Sequence, residues 1–126
     1  MKWCDRALWQ SRYAYGLCLS EKDFQREMKR MNVPPHQWPR WVSDGANATT
    51  HFLGHPDGGM AAIVCLEERE GLTGTQIAAV LVHEAVHIWQ EHCDGIGESE
   101  PGSESEAYAI QTLSQRLMDA YVEAKK

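Results

Sequence analysis

The longest apolar run of the chain, Ile77 to Val82, lies in a stretch of residues that favour helix. Thr73 and Gln76, just before the run, have the spacing of a capping box, in which each side chain accepts a hydrogen bond from the other residue's backbone. No proline or glycine then follows until Gly95, which is expected to end the helix in a left-handed conformation. This pattern predicts a long helix in the second half of the chain.

A second pattern of helical period follows Ser20. Phe24, Met28 and Met31 fall at i, i+4 and i+7, so they share one face of a helix. Ser20 is a favourable N-cap residue, and an acidic side chain follows it three residues later. A helix from Glu21 to Met31 with one buried stripe is therefore predicted.

The last segment, from Glu104 to about Ala124, also has its apolar residues at helical spacing. Pro101 and Ser103 precede it and are typical of a helix start. This segment is predicted to be the third long helix. Its apolar positions are Ile110, Leu113, Leu117 and Tyr121.

Between residues 49 and 66 the pattern changes to short β-prone runs. Thr49 to Leu53 and Met60 to Leu66 are such runs, and turn-forming residues separate them. Together they predict a hairpin that leads into the long helix. His51 lies within the first run, and His55 lies just after it. Both are expected to be structural or solvent-facing rather than metal ligands.

The remaining segments have weaker patterns. Residues 3–18 carry aromatic residues and leucines at loosely helical spacing, which predicts a short amphipathic helix. Residues 32–48 are rich in proline and predict a loop that Trp38 and Trp41 pack onto the body of the protein. The expected fold is a single α+β domain over residues 1–126, mainly helical, with a short antiparallel β element before the long helix.

Composition narrows the class of protein. The 126 residues are 43% hydrophobic and carry a formal net charge of −6, as in an ordinary soluble domain. Because there is no dense run of Lys and Arg, nucleic acid is not expected as a partner. No apolar stretch approaches the roughly 20 residues that cross a bilayer, so no membrane partner is expected either.

The four cysteines, Cys4, Cys18, Cys65 and Cys93, are widely spaced and contain no C-x-x-C pair. We expect reduced thiols in a cytoplasmic protein. Two disulfides in a secreted domain are the alternative, but the charged residues near the N-terminus do not fit a signal peptide.

The predicted long helix contains the pentapeptide His83-Glu84-Ala85-Val86-His87, which has the form H-E-x-x-H. Two histidines four residues apart lie on one face of a helix, where their imidazoles can converge on one Zn²⁺ ion. Glu84 is expected beside the metal, where it can take a proton from the water that zinc activates. The motif predicts a catalytic zinc centre with Glu84 as general base.

A catalytic zinc site usually has a third protein ligand, and two glutamates of the last helix compete for this role. Glu106 lies on the apolar stripe of that helix, where a carboxylate needs a partner such as a metal. Ser103 and Glu106 also have capping-box spacing, which would explain Glu106 without a metal. Glu104 instead shares a narrow polar face with Tyr108 and Gln111, which suits a site equally well.

The two helices resemble the gluzincin branch of zinc metallopeptidases. Those proteins carry a glutamate ligand in an E-x-x-A pattern on the helix after H-E-x-x-H, and Glu104 and Ala107 match that pattern here. The resemblance implies that Glu104 is the third zinc ligand. Many relatives have Asp or another hydrogen-bonding residue at the next position, where this chain has Tyr108, a candidate for steadying an oxyanion or a histidine.

The chain is also similar to small phage- or prophage-encoded zincin-like proteins, which have an H-E-x-x-H-x-W-Q helix and an E-x-E-A-Y-x-x-Q helix. The shared residues are His83, Glu84, His87, Trp89, Gln90, Glu104, Glu106, Ala107, Tyr108 and Gln111. A phage-encoded protein of this kind would act in the host cytoplasm.

The function expected from these features is zinc-dependent hydrolysis of a peptide bond in a peptide or protein substrate. In related zincins an extended substrate pairs with the edge of a sheet, and the strand Met60 to Leu66 is the candidate for that edge here. The alternative is a zincin-like phage binding or assembly protein that keeps the zinc site with little or no peptidase activity.

Overall fold

The computed structural model describes residues 1–4, 13–54 and 59–126 of the chain. Within these ranges the protein has three α-helices and a four-stranded sheet, which confirms the α+β fold class. In chain order the elements are β1 (Lys2–Cys4), β2 (Tyr13–Cys18), α1 (Glu21–Arg30), a short 3₁₀ turn (Pro35–Gln37), β3 (Ala48–Gly54), β4 (Met60–Leu66), α2 (Gly74–Ile96) and α3 (Ser103–Ala124).

The sheet is larger than the predicted hairpin and is mixed, with the strand order β1-β2-β4-β3. The hairpin itself is confirmed, because β3 and β4 pair antiparallel. On its other side β4 pairs parallel with β2, so that Cys18 lies opposite Cys65. The prediction that Met60–Leu66 forms a sheet edge is therefore wrong: β4 is a central strand, and the edges of the described sheet are β1 and β3.

The helix predicted over residues 3–18 is wrong wherever the structure describes that segment. Lys2–Cys4 and Tyr13–Cys18 are antiparallel strands, and residues 5–12 lie outside the described residues. In β2, all four residues from Tyr15 to Cys18 are buried, because strands flank β2 on both sides and helices cover the sheet. A strand that is buried on both faces lacks the polar–apolar alternation that would have identified it.

The helix predicted at Glu21 is confirmed. The Ser20 hydroxyl accepts a hydrogen bond of 3.1 Å from the backbone N–H of Asp23, which satisfies one of the free donors of the first turn. Phe24 and Met28 are fully buried against the sheet, as their spacing predicted. The helix ends at Arg30.

At its start, α2 has the capping box that the sequence predicted. Thr73 Oγ1 accepts from the Gln76 backbone N–H at 3.2 Å, and Gln76 Oε1 accepts from the Thr73 backbone N–H at 2.8 Å. At the other end the predicted stop at Gly95 is wrong, because the helix continues to Ile96. Gly97 adopts the left-handed conformation instead, with φ of 75°.

The start of α3 corrects another expectation. Ser103 is the first helical residue and Gly102 precedes it as the cap, so Ser103 and Glu106 form no capping box. The backbone N–H of Glu106 donates instead to the Gly102 carbonyl at 2.9 Å, as an ordinary first hydrogen bond of the helix. The carboxylate of Glu106 is thus free to contact another element.

Helices cover both faces of the sheet. On one face, α2 and α3 pack against β2 and β4, and this is where the larger core lies; on the other, α1 and residues 31–46 form a smaller core. Trp38 and Trp41 pack against the smaller core, and the Trp38 Nε1 donates to the Val33 carbonyl at 2.7 Å, so the predicted packing of this loop is confirmed. Among the described residues, no helix combines the length and the apolar character that crossing a membrane requires.

Candidate metal centre

His83 and His87 lie one turn apart on the exposed side of α2, and their imidazoles converge. The two Nε2 atoms are 3.0 Å apart, and the rings meet edge to face with centroids 4.7 Å apart. At this distance one protonated Nε2 donates a hydrogen bond to the other, unprotonated Nε2. The i, i+4 spacing on a regular helix is sufficient to produce this arrangement.

Glu84 lies beside the histidines but points into the protein, where only 4% of the residue is exposed. One of its carboxylate oxygens lies within 4.8 Å of a ring nitrogen of each histidine. Burial raises the pKa of Glu84, and this effect outweighs the lowering by His87, His83 and the Thr50 hydroxyl. A buried carboxylate with a raised pKa is a suitable general base near neutral pH.

The donor set fits a metal ion. His83, Glu84 and His87 form a group that could hold one, and it is the one such group found among the described residues. Two nitrogens bound to a tetrahedral Zn²⁺ at about 2.0–2.1 Å would lie roughly 3.3 Å apart. The observed 3.0 Å between the two Nε2 atoms is close to that separation, so a small opening of the pair would admit the ion.

The two candidates for the third ligand lie in the first turn of α3. Neither Glu104 nor Glu106 belongs to the group formed by the histidines and Glu84 within the described part of the chain. Glu104 is exposed, whereas Glu106 is partly buried and accepts a hydrogen bond of 2.8 Å from Trp89 Nε1. The assignment of a third ligand stays a prediction. So does a role for Tyr108, which is 60% exposed on the same helix.

His51 and His92 each contact residues away from the His83–His87 pair. His51 Nε2 lies 2.9 Å from the Trp41 carbonyl, and its ring packs on Phe24 with centroids 5.1 Å apart. His51 is therefore structural, as expected, while His55 lies outside the described residues. His92 is buried and stacks on Trp89, with ring centroids 5.6 Å apart.

A shallow groove of about 350 Å³ adjoins His83 and Glu84. It lies between α2 and the segment that leads into β3, so the edge strand of the sheet begins at the mouth of the groove. Most of the lining side chains are small, which leaves room beside the Glu84 carboxylate. The lining residues are Ala46, Asn47, Ala48, Ala79, Val80, His83 and Glu84.

Sequence alone gave no functional role to Asn47 or Thr50. Asn47 lines the groove, and Thr50 lies on the face of β3 that packs on α2, next to Glu84. The Thr50 hydroxyl faces the carboxylate, but neither it nor Glu84 Oε2 has a hydrogen bond of good geometry. Only the register of β3 against β4 reveals which threonine faces the helix, because local sequence does not specify that register.

Comparison of the chain with protein-family models, with curated proteins and with solved structures found no match. What can be assigned to this site therefore rests on its own geometry, which is that of a possible metal-binding group.

Proposed function

We propose that this protein is a zinc-dependent metallopeptidase of the zincin type. His83 and His87 would hold Zn²⁺, and Glu84 would act as the general base. The observation that carries the proposal is the convergence of the two Nε2 atoms, 3.0 Å apart, beside a buried carboxylate. A purely structural zinc site needs no such carboxylate next to its ligands.

The bound metal would polarise the carbonyl of the scissile peptide and lower the pKa of a coordinated water. Glu84 is suited to accept the proton of that water, because burial raises the pKa of its carboxyl group. The same side chain would then pass the proton to the leaving amine. Both transfers would take place beside the histidines, since one oxygen of the carboxylate lies within 4.8 Å of a ring nitrogen of each histidine.

Glu104 remains the proposed third ligand. The Glu106 carboxylate already accepts the Trp89 hydrogen bond, whereas Glu104 is exposed and can reorient. Both residues lie in the first turn of α3, two positions apart, and the helix dipole there favours a negative charge. Glu104 would have to move to reach the histidines, because it lies outside the group that they form with Glu84 in the described part of the chain.

The proposed substrate is an extended peptide that pairs with β3. This strand is an edge of the sheet and begins beside the groove that His83 and Glu84 line. Main-chain hydrogen bonds along an edge strand hold a peptide without regard to most of its side chains. The groove would then receive one side chain close to the scissile bond.

The first test is the metal content of the purified full-length chain after zinc loading and removal of free metal. Wild type is expected to retain one zinc ion, and His83→Ala none. Glu104→Ala should weaken zinc binding by more than about a hundredfold, since loss of even an outer partner costs ten- to a hundredfold, while Glu106→Ala should retain it. Wild type that binds no zinc would overturn the proposal. Loss of zinc binding in Glu106→Ala but not in Glu104→Ala would mean that Glu106, and not Glu104, is the third ligand.

The second test uses Glu84→Gln with a library of peptide substrates. Gln has the size of Glu but cannot act as a base at neutral pH, so zinc should remain while kcat falls by about 10²–10⁴-fold. Hydrolysis by Glu84→Gln at the wild-type rate would exclude the mechanism.

The second candidate is a zincin-like binding or assembly protein with little or no peptidase activity. It is favoured by the composition of the metal-binding group, which within the described residues contains only His83, Glu84 and His87. In that case wild type and Glu84→Gln would bind zinc equally, and neither would hydrolyse any peptide of the library.

A further inference from the structure

A buried threonine hydroxyl and a buried carboxyl group lie close together where β3 packs on α2, since the Thr50 hydroxyl lowers the pKa of Glu84. Thr50 Oγ1 and Glu84 Oε2 are both inaccessible to solvent and lack a hydrogen-bond partner among the described residues. Thr50 lies opposite Val64, a residue of the core beneath α2, so both side chains point to the same face of the sheet. The threonine and the carboxylate thus lie on opposite sides of one interface.

The chemistry of the two groups is complementary. An ionised carboxylate can only accept hydrogen bonds, and a threonine hydroxyl has one O–H to donate. A buried polar atom without a partner is costly, and a hydroxyl can rotate about its C–O bond at little cost. A small rotation or shift at Thr50 would therefore satisfy both atoms at once.

We propose that Thr50 is a positioning residue for Glu84. Its hydroxyl donates to the Glu84 carboxylate, holds one oxygen against β3 and leaves the other directed to the space beside His83 and His87. This inference rests on the proposed function, because the orientation of the carboxylate affects a reaction only if Glu84 is the base. It also couples the base to the edge strand on which the peptide would align.

The contact is tested by a double-mutant cycle with Thr50→Val and Glu84→Ala in the full-length chain, measured by urea unfolding with a metal chelator present. Val has the shape of Thr without the hydroxyl, so the pair should show a coupling of about fivefold or more in the unfolding equilibrium constant. Effects that add to within about twofold would overturn the proposal. Since no metal or substrate takes part, this result does not depend on the proposed function.

Thr49 provides a matched control on the same strand. Its hydroxyl accepts a hydrogen bond of 2.9 Å from the Ser43 backbone N–H, so it already has a partner away from Glu84. Thr49→Val should lower stability through loss of that bond, but its effect should add to that of Glu84→Ala. Coupling of equal size at Thr49 and Thr50 would mean that the cycle reports the strand as a whole, and would overturn the specific contact.

The positioning role is tested by kinetics on a peptide that the wild type cleaves. Thr50→Val should lower kcat by about ten- to a hundredfold with little change in KM, because a misplaced base affects the reaction rather than binding. Thr50→Ser, which keeps the hydroxyl, should restore most of the rate. A Thr50→Val enzyme as fast as wild type, or a Thr50→Ser enzyme as slow as Thr50→Val, would overturn the role. If zinc-loaded wild type cleaves nothing, the proposed function fails, and the stability cycle alone decides the contact.

Discussion

The indole Nε1 of Trp89 donates a 2.8 Å hydrogen bond to Oε2 of Glu106 and so ties α2 to the first turn of α3. Trp89 follows His87 by two residues and is 8% exposed. The bond therefore fixes the start of α3 relative to the histidines. It gives Glu106 a structural partner and sets the position from which Glu104 could reach a metal.

Loss of this bond should destabilise the fold. Glu106→Ala would leave the buried indole N–H without its acceptor, which typically costs about 1–3 kcal/mol in the free energy of unfolding. Glu104→Ala is the matched control, because Glu104 is exposed in the same turn and its removal should change stability by less than about 0.5 kcal/mol. Urea unfolding of both variants measures the difference, and equal effects would mean that the bond contributes nothing.

At the end of α2, replacing each of two glycines by alanine should change the stability of the protein in opposite directions. Gly97 has φ of 75°, and the Gly97 and Glu98 N–H groups bond to the Asp94 and Cys93 carbonyls, which is a Schellman motif. Gly97→Ala should therefore destabilise by about 1 kcal/mol. Gly95 is exposed within the helix, so Gly95→Ala should stabilise by about 0.5–1 kcal/mol.

Thermal unfolding gives the Tm of both glycine variants. For a chain of this size, a change of about 1 kcal/mol in the free energy of unfolding should shift Tm by about 4 °C. Shifts of the same sign in Gly95→Ala and Gly97→Ala would contradict the observed end of the helix.

The helices and the convergence of the two histidines could be predicted because their signals are local. Thr73 and Gln76 cap α2 through hydrogen bonds that span three residues, and His83 and His87 converge through one turn of the same helix. Such contacts need nothing from the rest of the fold. The capping signal at Ser103 failed because Gly102 took the cap position, a shift of one residue that spacing alone cannot resolve.

The features that could not be predicted depend on pairing between distant segments. The burial of β2 follows from its parallel pairing with β4, which the local sequence does not show. Thr50 acquires its neighbour Glu84 only through the register of β3. The identity of a third ligand could not be predicted for the same reason, because it depends on how α3 packs against α2.

The stability of the fold should depend on pH through Glu68. Its Oε1 lies 2.6 Å from Lys125 Nζ, and its Oε2 accepts a hydrogen bond of 2.8 Å from the Tyr121 hydroxyl, which joins the loop before α2 to the end of α3. Burial raises the pKa of Glu68, but the hydrogen bonds from Lys125 and Tyr121 together lower it below its ordinary value of 4.5. The charged form is thus favoured in the folded state.

A lowered pKa means that Glu68 stabilises the fold above its unfolded pKa, and that this contribution is lost as the pH falls through the folded pKa. Wild type should therefore be more stable than Glu68→Gln near neutral pH. The difference should shrink below pH 4.5 and disappear once the pH is below the folded pKa of Glu68. Urea midpoints measured from about pH 7 to about pH 2 test this. Tyr121→Phe is the control, since it removes one hydrogen bond and keeps the ion pair; a difference that persists unchanged at the lowest pH would contradict the assignment.

The thiols provide a further prediction. Cys18 and Cys65 are paired in register on β2 and β4, and neither is exposed to solvent. The Cys18 Sγ also donates to the Ser20 carbonyl at 3.3 Å, while hydrogen bonding with Cys18 and burial raise the pKa of Cys65. Cys93 is 6% exposed, and burial raises its pKa as well. None of the four cysteines, all of which lie in the described ranges, is in a disulfide, and Cys4 is the least buried of them.

In the native protein a thiol reagent such as 5,5′-dithiobis(2-nitrobenzoate) should therefore modify Cys4 first. Cys18 and Cys65 should react more than about a hundredfold more slowly than in urea, because their modification needs local opening of the central strands. Cys4→Ser should abolish the fast phase and leave the slow ones unchanged. Fast reaction of Cys18 or Cys65 in the native state would contradict the burial of the pair. Fewer than four reactive thiols in urea without reductant would support the disulfide alternative.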